Sequence, residues 1–324
     1  MSKQTYLQAI QSALREELQR DERVFIMGQD VQSNLFGTTP GFVKEFGAER
    51  IRNTPIAEAG MAGVAAGAAM VGMRPVVDFS IAPFLYPAFD QIVSTVAKSR
   101  YLYGGQAAVP VVFRSTMFYG RAASSAAQHS DRPYSLYMHV PGLKVIVPSS
   151  AHDVKGLLKA AIRDDDPVLS FEDASLWTTA SDVPDNDYLI PLGKADVKRP
   201  GTDVTVVAIG ATVPMALAAG RQLAAEGICV EVVDPRTLAP LDRETILDSV
   251  RKTGRLVAVD VAWRTCSAAS EIAATVASEA FRNLRGPIQI VTTPDTHIPF
   301  SPVLEADLYP NKDKIIAAIR RALA

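Results

Sequence analysis

Glu58 is the residue of this sequence best placed to do chemistry, because it is a lone carboxylate at the front of a long apolar run. It belongs to residues 53–60, Asn-Thr-Pro-Ile-Ala-Glu-Ala-Gly, and residues 59–72 are all apolar or glycine. Pro55 marks a turn, and the alanine-rich run predicts a helix that begins near Glu58. A helix without a polar face is expected to be buried all round. The sequence therefore predicts a carboxylate at the positive end of a buried helix.

Two interpretations of Glu58 follow from that position. In the simpler one, Glu58 is a first-turn carboxylate that the helix dipole stabilises by a few tenths to about 1 kcal/mol. In the other, it is partly desolvated and hydrogen-bonds a buried nitrogen of a cofactor. The run contains glycines at 60, 63, 67 and 72. Each costs roughly 1 kcal/mol relative to alanine inside a helix, so we expect another backbone to approach them closely.

A second group of carboxylates, Asp164, Asp165 and Asp166, stands before Pro167. Three adjacent acids could bind a metal, or they could form a solvated turn ahead of the proline. The four histidines are scattered and form no H-E-x-x-H motif or Cys/His cluster, so a zinc site is not expected. The sequence also lacks the dinucleotide fingerprint, the P-loop motif and the nucleophile elbow G-x-S-x-G.

Composition narrows the class of protein. The chain has 324 residues, a formal net charge of -2 and 48% hydrophobic residues, which suggests two globular domains. No run of like charges points to nucleic acid or to a membrane surface. The start lacks the apolar segment of a secretion signal, and the two cysteines, Cys229 and Cys266, fit reduced thiols. We therefore expect a cytoplasmic protein.

Strands that alternate with helices must position these residues. The pattern predicts strands at 24–28, 74–79, 109–114, 143–148 and 168–171, with helices at 6–20, 88–101 and 153–163. A polar stretch follows, and a second alternation begins at 204. Such an order predicts an α/β fold in which parallel sheets are covered on both faces by helices. We expect two three-layer domains, residues 1–180 and 201–324, joined by a linker at 181–200.

Several segments resemble one enzyme family over nearly the whole chain. Residues 54–60, Thr-Pro-Ile-Ala-Glu-Ala-Gly, are similar to the TPI-(S/A)-E-x-G motif in the β chains of thiamine-diphosphate-dependent 2-oxoacid and acetoin dehydrogenases. Segments at 90–92, 127–130, 141–145, 161–167, 234–242 and 252–256 also resemble that family, in the same order and spacing. The resemblance implies a pyrimidine-binding domain followed by a transketolase C-terminal-like domain, in an α2β2 heterotetramer.

The resemblance also implies roles for three side chains. In the family a glutamate bonds N1′ of the cofactor's aminopyrimidine and favours the imino tautomer that can take the C2 proton; this role falls on Glu58. Phe84 matches the aromatic residue that stacks on the aminopyrimidine, although ordinary core packing is the simpler interpretation of that phenylalanine. His129 matches the histidine that stabilises or protonates the intermediate and meets the lipoyl group. A lone histidine is otherwise more often a satisfied polar group.

Cofactors and partners are implied in the same way. Thiamine diphosphate would be shared with an α chain, which would hold most of the Mg²⁺ coordination because this sequence lacks the G-D-G motif. A structural K⁺ would be bound by the backbone carbonyls of Val111, Ala161, Ile162, Asp164 and Asp166. The other expected partners are a dihydrolipoamide acyltransferase core with its lipoyl domain, docked near residues 308–324, and a small 2-oxoacid or acetoin.

Departures from the family pattern bear on the substrate. Gln29 stands where many members have glutamate after the first strand. Residues 115–121, Ser-Thr-Met-Phe-Tyr-Gly-Arg, are bulkier than the glycine-rich loop of pyruvate-type relatives and lead to His129. We expect this loop to line the entrance and to favour a substrate other than pyruvate, or a narrowed entrance. Segments 148–150, 264–267 and 299–301 favour the acetoin branch.

The leading hypothesis is a β subunit that, with its α chain, oxidatively decarboxylates a 2-oxoacid such as pyruvate, or cleaves acetoin, and transfers the acyl group to lipoyllysine. One alternative is the C-terminal half of a split transketolase, which would need basic residues for sugar phosphates and matches residues 127–130 poorly. The other is a non-catalytic flavodoxin-like scaffold, in which replacing Glu58 by Gln would cost no function.

Overall fold

The computed structural model describes residues 1–118 and 125–324 and divides them into two compact units. The first unit contains Met1–Phe118 and Leu136–Leu192. The second contains Gly193–Ala324 together with the described residues 125–135, which come from the middle of the first unit's sequence. The boundary near 192 lies inside the stretch predicted as a linker.

The chain alternates between strands and helices throughout. The strands are β1 (Ser2–Thr5), β2 (Val24–Gly28), β3 (Ile51–Asn53), β4 (Arg74–Ile81), β5 (Val112–Met117), β6 (Lys144–Ile146), β7 (Val168–Asp173), β8 (Ala180–Val183), β9 (Asp196–Arg199), β10 (Val204–Ala208), β11 (Val230–Asp234), β12 (Thr237–Ala239), β13 (Leu256–Trp263) and β14 (Gln289–Thr293). The α-helices are α1 (Tyr6–Arg20), α2 (Phe42–Phe46), α3 (Glu58–Met70), α4 (Ala97–Leu102), α5 (Ala126–His129), α6 (Tyr134–Met138), α7 (Ala151–Arg163), α8 (Thr212–Ala224), α9 (Arg243–Thr253), α10 (Ala268–Glu279), α11 (Pro302–Glu305) and α12 (Lys312–Leu323).

Six strands of the first unit form a parallel sheet in the order β6-β7-β5-β4-β2-β3. Their valine-rich sequences suit a sheet that helices bury on both faces. Helices α1 and α7 pack on each other, and α3 packs on β4. The register sets Gly28 beside Asp78 and Asp78 beside Arg114, so charged side chains from neighbouring strands meet. The predicted parallel sheet is confirmed here.

The second unit contains a smaller mixed sheet. Strands β14, β13, β10 and β11 are parallel, and β9 adds an antiparallel edge beside β11. Helices α8 and α12 pack into one apolar core with buried valines of the central strands, such as Val206 and Val259. The predicted parallel arrangement therefore holds for four of the five strands, and the antiparallel edge strand β9 is an addition to it.

Helix α3 corrects one prediction. It begins at Glu58 as expected, but it is not buried all round: its buried stripe is Ala62, Ala65, Ala66 and Ala69, with Met61. Val64 is 59% exposed. Among the described residues, a Cβ placed on Gly63 or Gly67 would meet no atom within 4 Å outside its own helix backbone, so close approach within the described part of the chain does not account for those glycines. Part of the apolar surface of α3 is thus exposed in the described structure.

Three other predicted boundaries move. Strand β5 starts at Val112 rather than at 109. Pro110 has no N–H to donate to a neighbouring strand, and the Val111 amide donates to the Val109 carbonyl instead. The predicted helix 88–101 contains a π-helical turn, Gln91–Val96. The stretch 181–200 is structured: it includes most of β8, which pairs with β1, and all of β9.

Candidate active site

Glu58 lies at the carboxyl edge of the parallel sheet. Strand β3 ends at Asn53, the chain turns through Pro55, and Glu58 opens α3 as a half-buried side chain. The Thr54 amide donates to the Gly28 carbonyl at 3.0 Å, which ties this turn to the end of β2. The Thr54 hydroxyl oxygen is buried and has no hydrogen-bond partner among the described residues. The Glu58 carboxylate and the Thr54 hydroxyl, four positions apart in the sequence, therefore both belong to this edge.

Phe84 lies at the same edge, in a short 3₁₀ helix, Ala82–Leu85, that follows β4. Its ring is half-buried. The turn is prepared by Ser80, whose φ of 61 is a left-handed conformation that a non-glycine residue adopts at a cost. The Asp78 carboxylate accepts the Ser80 amide at 2.8 Å and so holds this conformation. Asp78 thereby fixes the backbone that leads to Phe84.

A buried ionic network lies within the strands of the first sheet and is not among the sites predicted from the sequence. The Arg114 network consists of Arg114 on β5, Asp78 on β4, Glu172 on β7 and Thr38. The Arg114 guanidinium donates to both carboxylates and, at 3.2 Å, to the Thr38 hydroxyl. Arg114 is 1% exposed and Glu172 is 0% exposed. Each charged residue lies in a strand among β-branched or aromatic residues. A charge in such a strand is the one local sign of a buried ion pair here.

Neighbouring carboxylates keep Arg114, at the centre of the network, in its charged form. Burial by itself lowers the pKa of Arg114, but the Glu172 and Asp78 carboxylates outweigh it and raise that pKa above its ordinary value. Burial raises the pKa of Glu172, and Arg114 opposes the rise. Buried charges of this kind persist only when they are paired and hydrogen-bonded. The network therefore ties three neighbouring strands together.

This edge suits the pyrimidine half of thiamine diphosphate. In parallel α/β sheets, ligands bind outside the carboxyl ends of the strands. Here β3 leads to a carboxylate, Glu58, and β4 leads to an aromatic ring, Phe84, with β2 between the two strands. The unsatisfied Thr54 hydroxyl adds a further polar group. An aromatic face, a carboxylate and a hydroxyl match a flat heteroaromatic ring with hydrogen-bonding nitrogens.

His129 belongs to the second unit. It ends the short helix α5 as a half-buried residue, so the structure places it in a different unit from Glu58 and Phe84. Five residues later, Tyr134 is 2% exposed and its hydroxyl donates to Asp260 of β13. Burial raises the pKa of Asp260, whereas the hydrogen bonds from Tyr134 and two backbone amides oppose that rise. Neither Tyr134 nor Asp260 belongs to a local sequence motif that predicts this pairing, because 126 positions separate them.

The carbonyls predicted to bind K⁺ lie at the opposite, amino edge of the sheet. They belong to Val111, Ala161, Ile162, Asp164 and Asp166. The Val111 oxygen accepts the Val168 amide at 3.0 Å, which joins the starts of β5 and β7. Arg74, the first residue of β4, donates one Nη1 to the oxygens of Ile162 and Asp164, at 3.0 and 2.8 Å. A carbonyl has two lone pairs, so these oxygens can still face an ion.

The carboxylates of the acidic run are paired with basic side chains. Asp164 accepts from Lys144 Nζ at 2.7 Å, and Asp165 accepts from Arg74 at 2.5 Å. Asp166 accepts from Arg100 Nε at 2.5 Å. Within residues 1–118 and 125–324, no group of three or more His, Cys, Asp or Glu side chains could hold a metal ion. Backbone carbonyls are therefore the donors on which any ion site here would depend.

The loop that was expected to set substrate choice is partly strand. Ser115, Thr116 and Met117 are the last residues of β5 and are buried, so they do not form a loop. Phe118 packs against Phe36 in a tilted geometry and against Trp177 edge to face, with ring centroids 6.0 and 5.7 Å away. The remaining loop residues, 119–121, lie outside the described part of the chain. Gln29 follows β2 as a half-buried side chain.

Membrane insertion has no support in the described helices. In residues 1–118 and 125–324, no helix combines the length and the apolar character needed to cross a bilayer.

Comparison with known proteins identifies the family. Residues 2–177 match the family model described as transketolase, pyrimidine binding domain, and residues 193–315 match transketolase, C-terminal domain. The chain is 45% identical over 323 residues to acetoin:2,6-dichlorophenolindophenol oxidoreductase subunit beta of Bacillus subtilis, which covers 95% of this chain and 94% of that protein. It is 42% identical over 324 residues to the 2-oxoisovalerate dehydrogenase subunit beta of the same organism, with 99% and 98% covered.

Two further comparisons agree with these. The chain is 43% identical over 319 residues to the pyruvate dehydrogenase E1 component subunit beta of Rickettsia felis, covering 98% of this chain and 97% of that protein. A solved structure described as a split gene transketolase, inactive beta4 tetramer, superposes with a TM-score of 0.83 at 26% identity and covers 98% of each chain. The predicted pair of domains is confirmed, and the chain belongs to the family of β subunits of thiamine-diphosphate-dependent 2-oxoacid and acetoin dehydrogenases.

Proposed function

We propose that this chain is the β subunit of an α2β2 enzyme that oxidises a 2-oxoacid or acetoin and transfers the acyl group to lipoyllysine. The observation that carries the proposal is the half-buried Glu58 at the carboxyl edge of the first sheet, inside a motif of the family. The identity of 42–45% to three dehydrogenase β subunits over almost the full chain supports the same conclusion.

The residues of the chain would divide the work as follows. When bound, thiamine diphosphate supplies the nucleophilic carbon and the electron sink of the reaction. Glu58 would hold a proton at the aminopyrimidine N1′, and Phe84 would orient that ring by stacking on its face. His129 would stabilise charge on the substrate or exchange a proton with it. The α subunit would hold the diphosphate and most of the Mg²⁺ coordination.

The uncovered face of α3 supports the proposed assembly. The names of the relatives, as β subunits, imply an α partner. Within the described residues, a Cβ on Gly63 or Gly67 would meet no atom within 4 Å outside its own helix backbone, and Val64 beside them is exposed. Small residues permit another backbone to come close, and an exposed apolar patch usually marks an interface. We propose that another subunit covers this face. An acyltransferase core with its lipoyl domain completes the proposed partners.

Split transketolase is the second candidate, because a protein described in that way shares the fold. Its identity to this chain is 26%, against 45% for the acetoin enzyme subunit. Both candidates need a glutamate at the aminopyrimidine, so Glu58 does not separate them. Sugar-phosphate turnover without a lipoyl acceptor would favour the transketolase.

The deciding experiment measures dye reduction by the chain assembled with its α partner, thiamine diphosphate and Mg²⁺. Pyruvate, 2-oxoisovalerate, acetoin and a sugar phosphate are compared, with 2,6-dichlorophenolindophenol as acceptor. We expect one oxoacid or acetoin to be turned over, and activity to require both the cofactor and the metal. Turnover of the sugar phosphate alone, or no turnover of any substrate by a fully assembled enzyme, would contradict the proposal.

We further propose that K⁺ binds the carbonyls at the amino edge and ties the turn after α7 to the start of β5. Arg74 already donates to two of those oxygens, and a carbonyl oxygen has a second lone pair that can face an ion. An ion that binds only the folded protein at 100 times its Kd stabilises by about 2.7 kcal/mol. We expect the assembled enzyme to melt several degrees higher in K⁺ than in choline at equal ionic strength. Melting curves that coincide in the two salts would contradict K⁺ binding.

A further inference from the structure

Residues 125–135 carry His129 but pack with the second unit, and two side chains fasten them there. The helix that ends at His129 is four residues long, and a helix this short has almost no stability of its own. The position of His129 must therefore be set by tertiary contacts. Arg132 and Tyr134, three and five residues further along, supply two such contacts and are 6% and 2% exposed.

Tyr134 is held by a carboxylate that also organises the second unit. Its hydroxyl donates to Asp260 Oδ1, and the same oxygen accepts the Ala262 amide at 2.9 Å. Asp260 Oδ2 accepts the Ala269 amide at 3.4 Å, in the first turn of α10, where a negative charge is favourable. Asp260 is 0% exposed. One buried carboxylate thus joins Tyr134 to both β13 and α10.

Arg132 supplies the second attachment. Its guanidinium donates to the Ser130 carbonyl and lies 5.5 Å from the centre of the Tyr309 ring. Tyr309 packs with Val261 and Ile298, and its hydroxyl donates to the buried Glu305 at 2.9 Å. The Arg132 guanidinium, three residues after His129, therefore packs on a tyrosine ring that is itself held in place.

We propose that Tyr134 and Asp260 are positioning residues that hold His129 in its reactive placement; this rests on the proposed function, in which His129 acts on the substrate. The pair does not touch the substrate. It restricts a segment whose regular structure is one four-residue helix and the first residues of α6, and a reacting group displaced by about 1 Å can lose roughly 100-fold in rate. Tyr134 contributes through its hydroxyl, because its ring would pack equally well as phenylalanine.

The test is a double-mutant cycle in the assembled holoenzyme. Tyr134→Phe should lower kcat by about 10- to 100-fold while the melting temperature and the Kd for thiamine diphosphate stay within error. In the background of His129→Ala, the same change should have no further effect, since the pair acts through that histidine. Tyr188→Phe is the matched control and should leave kcat unchanged. It likewise removes one tyrosine hydroxyl, which here donates to the His152 carbonyl.

Hydrogen exchange gives a readout that needs no substrate. Tyr134→Phe should speed amide exchange in residues 125–135 at least about tenfold, whereas Tyr188→Phe should not. If Tyr134→Phe does not assemble, Asp260→Asn keeps the side-chain size and an acceptor oxygen, and it should show a smaller loss that also vanishes in His129→Ala. Additive losses in the cycle, or unchanged exchange at 125–135, would overturn the inference. An inactive wild-type enzyme would refute the proposed function, and the exchange data would still decide the inference.

Discussion

Replacing Glu58 by Gln is expected to lower kcat of the assembled enzyme by about 100- to 10,000-fold, the usual contribution of a positioned acid or base. Glutamine keeps the shape of the side chain but cannot hold or release a proton at N1′. Because Glu58 is a half-buried first-turn residue with its backbone inside α3, the fold should tolerate the change. The measurement is dye reduction with saturating substrate, beside the melting temperature of the same preparation.

The control is Glu49→Gln. Glu49 is also a glutamate of the first unit, but its side chain is 96% exposed and only pairs with Arg52 at 3.6 Å. Its replacement should leave kcat within about twofold, because exposed pairs contribute less than about 1 kcal/mol. If Glu58→Gln retained most of the activity, the role of Glu58 at the aminopyrimidine would be wrong and the scaffold interpretation would regain support.

Replacing Arg114 by Met is expected to destabilise the chain by about 3–5 kcal/mol, because it leaves two buried carboxylates without their cation. Methionine fills a similar volume, so the loss reports the missing charge more than a cavity. Arg114→Lys should be intermediate, since a single ammonium cannot make the paired contacts to Asp78 and Glu172 that the guanidinium makes. The free energy of unfolding from denaturant titrations of the assembled enzyme is the measurement.

Arg251→Met provides the comparison for that experiment. Arg251 forms an exposed i,i+3 pair with Asp248 at 2.9 Å, so its loss should cost less than about 1 kcal/mol. Equal losses of unfolding free energy in the two variants would show that the Arg114 network stabilises the chain no more than an exposed ion pair does.

We also expect Arg114→Lys to weaken thiamine diphosphate binding, because Asp78 holds the Ser80 turn that leads to Phe84.

The fold was largely predictable from local patterns. Valine-rich strands and amphipathic helices occur in an order that favours parallel sheets. Local chemistry agrees with that order at α7, where the Ser150 hydroxyl accepts the Asp153 amide at 3.1 Å. What the pattern could not show is the environment of α3. An apolar helix predicts burial, but the sequence does not say whether the covering atoms come from the same chain.

The candidate site was predictable where a motif is contiguous. Glu58 and Phe84 each follow a strand by a few residues, and parallel strands end at one edge of the sheet, so the structure has both residues at that edge. The Arg114 network joins residues 36 and 58 positions apart, and Tyr134 meets Asp260 across 126 positions. Pairings of that kind depend on sheet order and domain packing, so no local pattern reveals them. The only local sign was a charge inside a strand.

Residues 125–135 make the chain less modular than its two family matches suggest. The polypeptide crosses between units before residue 125, after Ser135 and again at Leu192. A fragment cut at residue 192 would keep His129 and Tyr134 but lose Asp260, and the other fragment would have the reverse defect. A C-terminal domain taken from a relative would have to bring a partner for Tyr134 with it. Domain exchange in this protein therefore requires two grafts, the second domain and the short segment that it holds.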